Sequence, residues 1–195
     1  MAYLYTWEEF PKLMNEARDA LEANLTSAAY LSRVLGESQM PHGFMGGYAL
    51  NLWGSARSTT DIDIAVQATI LQIQEILVKD NRRGKMLDHP KGPTASVLRL
   101  FVLADGNHDD FNVPASLVEM DLIFNGSLGV PVNIASGAET IDIETVSGRR
   151  SYPVLNIHNQ MLDKEQRKAL IGEFRGKNPH RSQGVAKLKE ILGIV

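Results

Sequence analysis

Two aspartates spaced two apart, Asp61 and Asp63, stand in an otherwise aliphatic run, Asp61-Ile62-Asp63-Ile64-Ala65-Val66. On a strand, successive side chains point to opposite faces, so both carboxylates project from the same one. Two like charges side by side on a half-buried strand repel, and the run supplies no cation of its own. A divalent ion resolves this. Magnesium takes oxygen ligands at ~2.1 Å and is commonly held by one or two carboxylates with phosphate oxygens completing the shell. Two such ions roughly 3.5–4 Å apart clamp the attacking and leaving oxygens of a phosphoryl displacement. Upstream, Gly46-Gly47 opens a helical stretch, where bare backbone N–H groups and the helix dipole favour a phosphate. Ser55 adds a hydroxyl donor and Arg57 a planar fork that suits phosphate.

These residues need a strand for the acids and a strand-to-helix turn for the glycines, and the sequence provides both. Phe44-Met45 reads as a short strand running into the glycine pair, followed by a brief helix over Tyr48–Trp53 that Gly54 stops. Asp61–Val66 reads as a strand, and Ile70, Ile73 and Leu77 mark a helix that residues 81–84 terminate. Ser96–Ala104 is the most β-like run, Val118–Phe124 is a further strand with Asp121 at its middle, and Ile141–Val146 is a peripheral strand or hairpin arm. Before this region, Thr6 and Glu9 form a capping-box pattern for a helix with Leu13, Ala17 and Leu21 along one stripe. A second helix, about Ser27–Leu35, is expected to end at Gly36. From Ile157 onward the pattern is helical, split at Asn178-Pro179. Helices, then short strands with intervening helices, then helices predict an α+β (α/β-like) fold with a small mixed sheet. At 195 residues, a single domain is expected over 1–195, with a core at about 40–150 and a C-terminal helical segment at about 155–195.

The order of apolar strand, Gly46-Gly47, thirteen intervening residues and Asp61-Ile62-Asp63-Ile64 resembles the signature of the polymerase-beta-like nucleotidyltransferase superfamily. Gly-Gly-x-Ala, Trp53-Gly54, Arg57, Thr60 and Asp61 are similar to its minimal members, among them small antibiotic-modifying and toxin–antitoxin enzymes. The resemblance implies a third acid on a neighbouring strand, and Asp121 fits that slot. It further implies that Asp61, Asp63 and Asp121 are catalytic metal ligands for Mg2+ or Mn2+, with Asp121 assisting deprotonation of an acceptor hydroxyl. Lys168 and, seven residues on, Arg175 repeat a helical pair that several minimal members turn toward the triphosphate, with Lys177 following. Family members often continue with two acids three residues apart, where this chain has His180 and Gln183.

The implied activity is a magnesium-dependent, two-metal transfer of a nucleoside monophosphate from an NTP such as ATP to a hydroxyl acceptor, with release of pyrophosphate. The rival reading is a nucleotidyltransferase-like module that binds a nucleotide or a protein without turnover. Composition bounds the partners. Lysines and arginines number ten against nineteen acids over residues 1–148, and ten against four over 149–195. An anionic partner near the basic tail, or docking of the tail on the body, follows, while the acidic body restricts nucleic acid to the role of acceptor. With no cysteine there are no disulfides or thiolate sites, and with no signal-like N-terminus or long apolar run the expected location is the cytoplasm, without membrane contact. The five histidines have no zinc spacing, residues 105–110 lack the pattern of a calcium loop, and neither a Walker lysine nor a nucleophile elbow occurs.

Overall fold

The computed structural model describes residues 3–55, 58–79, 84–87, 96–104, 114–128, 130–145 and 148–156. The chain order is β1 (Tyr3–Tyr5), α1 (Phe10–Ala17), α2 (Glu22–Ala28), α3 (Tyr30–Glu37), β2 (His42–Met45), α4 (Gly46–Leu52), β3 (Asp61–Val66), α5 (Ile70–Lys79), β4 (Gly84–Leu87), β5 (Val97–Ala104), β6 (Ser116–Phe124), β7 (Ala138–Thr145) and β8 (Gly148–Leu155). The strands form one sheet in the order β1-β4-β5-β6-β3-β2-β8-β7. It is mixed: β3 runs parallel to β6 and antiparallel to β2, while β5 is antiparallel to β6. The α+β architecture expected from the sequence is present, and the sheet is wider than the small one expected. Among the described residues no helix is long and apolar enough to cross a membrane. The C-terminal helical segment expected from about 155 lies, from residue 157 on, outside the described residues.

Alternation in β3 explains its place at the centre. Ile62, Ile64 and Val66 are fully buried on one face, against Met120 and Leu122 of β6, Leu98 and Leu100 of β5, and Leu25, Leu31 and Leu35 of α2 and α3. Burying side chains of this size contributes roughly 1.5–3 kcal/mol each, which fixes the strand's register, because a slip by one residue would turn the aspartates into this core.

The other face is divided. Tyr5, Leu13, Ala17, Phe101 and Leu117 form one small apolar cluster, and Ala65, Ile123, Val130, Ile134 and Leu155 form another. The strip between them carries Asp61, Asp63, Arg99, Glu119 and Asp121, as the pairing Asp61↔Glu119, Asp63↔Asp121↔Arg99 requires.

Helices depart from expectation in three places, the first being that two helices, α2 and α3, stand where one was expected over about 27–35. Gly36 lies inside α3, which ends at Glu37, and the left-handed residue that closes it is Gln39 at φ 56°, with Met40 N–H bonded to the Leu35 carbonyl at 2.9 Å. That is a Schellman stop built without glycine. Glu9 does reach back to the Thr6 N–H at 2.8 Å, but α1 begins at Phe10 and ends at Ala17, so Leu21 lies beyond it and is 60% exposed. Strands β1, β4 and β8 have no counterpart in the expected elements.

Candidate active site

The glycine pair sits directly at the end of β2. Met45 is still extended, paired opposite Asp63, and Gly46 starts α4 with φ 66°. A Cβ on Gly46 would overlap the Asp63 oxygen Oδ2, and one on Gly47 would lie 2.7 Å from Thr59 Oγ1. Both positions therefore need glycine: one for a left-handed backbone and closeness to the aspartate, the other for closeness to the threonine. The structure thus places Gly46 beside Asp63, and Gly47 beside the threonine that bonds Asp61. Ser55 lies past the opposite end of the same helix, where Gly54 at φ 90° and the Ser55 N–H bond to the Leu50 carbonyl at 2.9 Å close it. At a rise of about 1.5 Å per residue, Ser55 is roughly 10 Å along the axis from the glycines. Arg57, Lys168 and Arg175 lie outside the described residues.

Asp61 accepts a hydrogen bond from Thr59 Oγ1 at 2.6 Å. Asp63, beside it on the strip, lies in a strongly acidic setting. Burial first, then the charges of Asp61 and Asp121, push its carboxyl up to about 7. Asp121 is in register with Asp63 across the parallel pair, and both its oxygens are engaged by Arg99. Arg99 Nε donates to Oδ1 at 2.8 Å and a terminal nitrogen to Oδ2 at 2.7 Å, while the other terminal nitrogen lies 2.8 Å from Glu119 Oε1. These acids are largely buried, with side chains 19% and 16% exposed. Burial raises the Glu119 carboxyl despite Arg99, and the hydrogen bonds to Asp121 hold the guanidinium firmly charged. Tyr5, from the edge strand β1, donates a long 3.4 Å bond to the Arg99 carbonyl and is itself kept protonated by burial.

Arg99, Glu119 and Thr59 are site residues that the sequence reading passes over. Glu119-Met120-Asp121 repeats the acid-x-acid spacing of Asp61-Ile62-Asp63, and Arg99 is the lone charge in the most β-like run of the chain. Both signals are visible in the sequence.

Asp61 and Asp63 suit a magnesium ion by chemistry: hard oxygen donors on one face, beside a glycine turn without side chains, in a cluster of four carboxylates against one guanidinium. Asp121 belongs to this cluster by position, but its oxygens are turned to Arg99. Among the described residues, no three acidic or imidazole side chains converge as cation ligands. A groove of about 560 Å³ lined by Tyr30, Arg33, His42, Arg149, Arg150 and Tyr152, among others, opens by α3 on the opposite face of the sheet and includes none of these acids.

Solved structures similar to this chain include the following three. An antigenic nucleotidyltransferase-like protein from Paracoccidioides brasiliensis is 14% identical over 91% of this chain and 87% of its own, with a TM-score of 0.49. The protein JHP933 from Helicobacter pylori is 16% identical over 97% and 74%, with a TM-score of 0.43. The lincosamide antibiotic adenylyltransferase LnuA, in its lincomycin-bound form, is 14% identical over 90% and 99%, with a TM-score of 0.39. No protein-family model and no curated protein matches the chain.

Proposed function

We propose that the protein is a divalent-metal-dependent nucleotidyltransferase that moves a nucleoside monophosphate from an NTP to a hydroxyl acceptor. The observation that carries this reading is the pair Asp61 and Asp63 on the open strip of β3, with Asp63 pressed against a glycine turn that tolerates no side chain. In this reading Asp61 and Asp63 hold Mg2+ or Mn2+, and Thr59 fixes the orientation of Asp61 through its 2.6 Å hydrogen bond. The metal, when bound, neutralises phosphate charge and polarises the reacting oxygens. Gly46 and Gly47 let the phosphates approach the backbone, and Ser55, Arg57, Lys168 and Arg175 are the further donors to the triphosphate. The acceptor oxygen bonds to the α-phosphorus, the bond to the β-phosphate breaks, and pyrophosphate leaves. Asp121 takes up or orients the hydroxyl proton, for which a carboxylate retains lone pairs beyond those that bind Arg99. The acceptor is a small molecule, a protein or an RNA end, and the setting is cytoplasmic.

Incubation with each α-labelled NTP and Mg2+, beside the Asp61→Ala/Asp63→Ala double variant, tests the reading. Transfer of label by the wild type and a loss of at least about 1,000-fold in the variant is expected, since ligands of one ion act as a unit. Equal transfer by both proteins refutes it.

A second reading, a module that binds a nucleotide or a protein without turnover, draws on the engagement of Asp121 by Arg99. NTP binding by calorimetry with no product by mass spectrometry is its signature.

A further inference from the structure

Among the described residues, four carboxylates share the strip with one guanidinium, and the distances show where that positive charge goes. Arg99 spends Nε and one terminal nitrogen on both oxygens of Asp121, at 2.8 and 2.7 Å, and its remaining terminal nitrogen on Glu119 at 2.8 Å. Arg99 stands on β5, opposite Asp121 on the antiparallel side of β6, whereas Asp61 and Asp63 stand on β3, on the parallel side. A carboxylate that meets a fork with both oxygens presents its edge to the fork. Both oxygens of Asp121 are therefore engaged by Arg99, although the register puts the residue beside Asp63.

We propose that Arg99 is a resident counter-ion that withholds Asp121 and Glu119 from a divalent cation. The third acid joins Asp61 and Asp63 only when Arg99 releases it, by rotation of the Asp121 side chain from β5 toward β3. This rests on the metal-dependent reading above and adds to it a residue that controls when the set of ligands is complete. Two opposed energies govern the exchange. A cation gains the oxygens of Asp121 but must break a bidentate, largely desolvated pair, and loading is weaker by that cost. The fork matters as much as the charge: lysine at 99 keeps the charge but cannot hold both oxygens. Asp121 is then free to turn without loss of the local positive charge.

The test uses the full chain and Mg2+ alone. In a ¹H–¹⁵N spectrum of the arginine Nε–H groups, Arg99 gives a protected cross-peak, identified by its absence in Arg99→Lys and its displacement in Asp121→Asn. Saturation with Mg2+ is expected to shift that cross-peak or speed its exchange with water. Calorimetry is expected to give Arg99→Lys an affinity for Mg2+ about 5- to 10-fold above wild type, the lower end of an ordinary coupling between sites. If Mg2+ binds, is lost in Asp61→Asn/Asp63→Asn, and leaves the Arg99 cross-peak unmoved, the pair is permanent and the proposal falls while the metal-dependent reading stands. If Mg2+ gives no heat that depends on Asp61 and Asp63, both fall. The cross-peak belongs to the wild type, so an Arg99→Lys protein that fails to fold by circular dichroism leaves this readout intact, with Asp121→Asn supplying the assignment.

Discussion

Asp63 is the residue at which stability and the proposed chemistry oppose each other. Its carboxyl is raised from 3.8 to about 7 by burial and by Asp61 and Asp121. A raised acid binds its proton more tightly when folded, so its contribution is present at low pH and is lost as pH rises from the unfolded value through about 7. Asparagine at this position does not ionise. In metal-free buffer at pH 8, Asp63→Asn is expected to raise stability by about 1–3 kcal/mol, read as a higher urea midpoint, while nucleotidyl transfer disappears. A lower midpoint would show that the strip does not carry this excess of charge. The pair Asp61 and Asp63 was legible in the sequence because period-two alternation alone puts both on one face. Arg99 stands out as the lone charge of its run, but its partner was not legible: residues 99 and 121 meet only through antiparallel register, which no local pattern specifies. Glu119 had a local signal, the same acid-x-acid spacing.

At the scale of elements, the junction of β2 and α4 fixes the strip's geometry, because strand becomes helix with no loop residue between Met45 and Gly46. Gly46→Ala must carry a side chain at φ 66° into the Asp63 carboxylate. A left-handed non-glycine residue costs roughly 1–2 kcal/mol before any clash, so a loss of more than about 2 kcal/mol in chemical denaturation is expected. Near-neutrality would mean that the turn relaxes freely. This junction was readable from the glycine pair after an apolar dipeptide. Strand β8 was not, since Gly148-Arg-Arg-Ser-Tyr-Pro-Val-Leu155 contains two arginines and a proline, which by local rules argue against an interior strand. Its place between β2 and β7 is tolerated because β2 pairs with it only at Phe44 opposite Val154. The end of α3 was misplaced for a related reason: Gly36 looked like a stop, yet Gln39 takes the left-handed conformation two residues past the helix.

For the whole molecule, the buried polar link between α3 and the sheet sets a pH limit on folding. His42 bonds through Nδ1 to the Met40 carbonyl at 2.7 Å and through Nε2 to Ser32 Oγ at 2.8 Å, so Nδ1 carries the proton and Nε2 accepts from the serine. Burial lowers its pKa below 6.5. Above 6.5 the imidazole is neutral in both states and stability does not depend on it. As pH falls through 6.5, the unfolded chain takes up a proton that the folded chain resists, and stability declines. Asp63 titrates in the opposite sense, so the measurement belongs in the Asp63→Asn background. There, the urea midpoint is expected to fall between pH 7.5 and 5.5, and His42→Leu is expected to flatten that fall. The same slope in both proteins would remove His42 as its cause. The fold class was legible from the order of helical and alternating runs; the width of the sheet was not, because β1 and β4 span only three and four residues and gain definition from pairing rather than from composition.

The parallel pairing of β3 with β6 aligns Asp63 with Asp121, two residues separated by an excursion through α5, β4 and β5. Long-range parallel contacts of this kind form late, since loop-closure entropy is spent before any contact compensates for it. A chain that ends before residue 116 would hold Asp61, Asp63 and both glycines but neither Glu119 nor Asp121. The negative charge of Glu119 and Asp121, and their pairing with Arg99, are therefore properties of the finished sheet, and synthesis can proceed through the first half of the protein without assembling the full cluster.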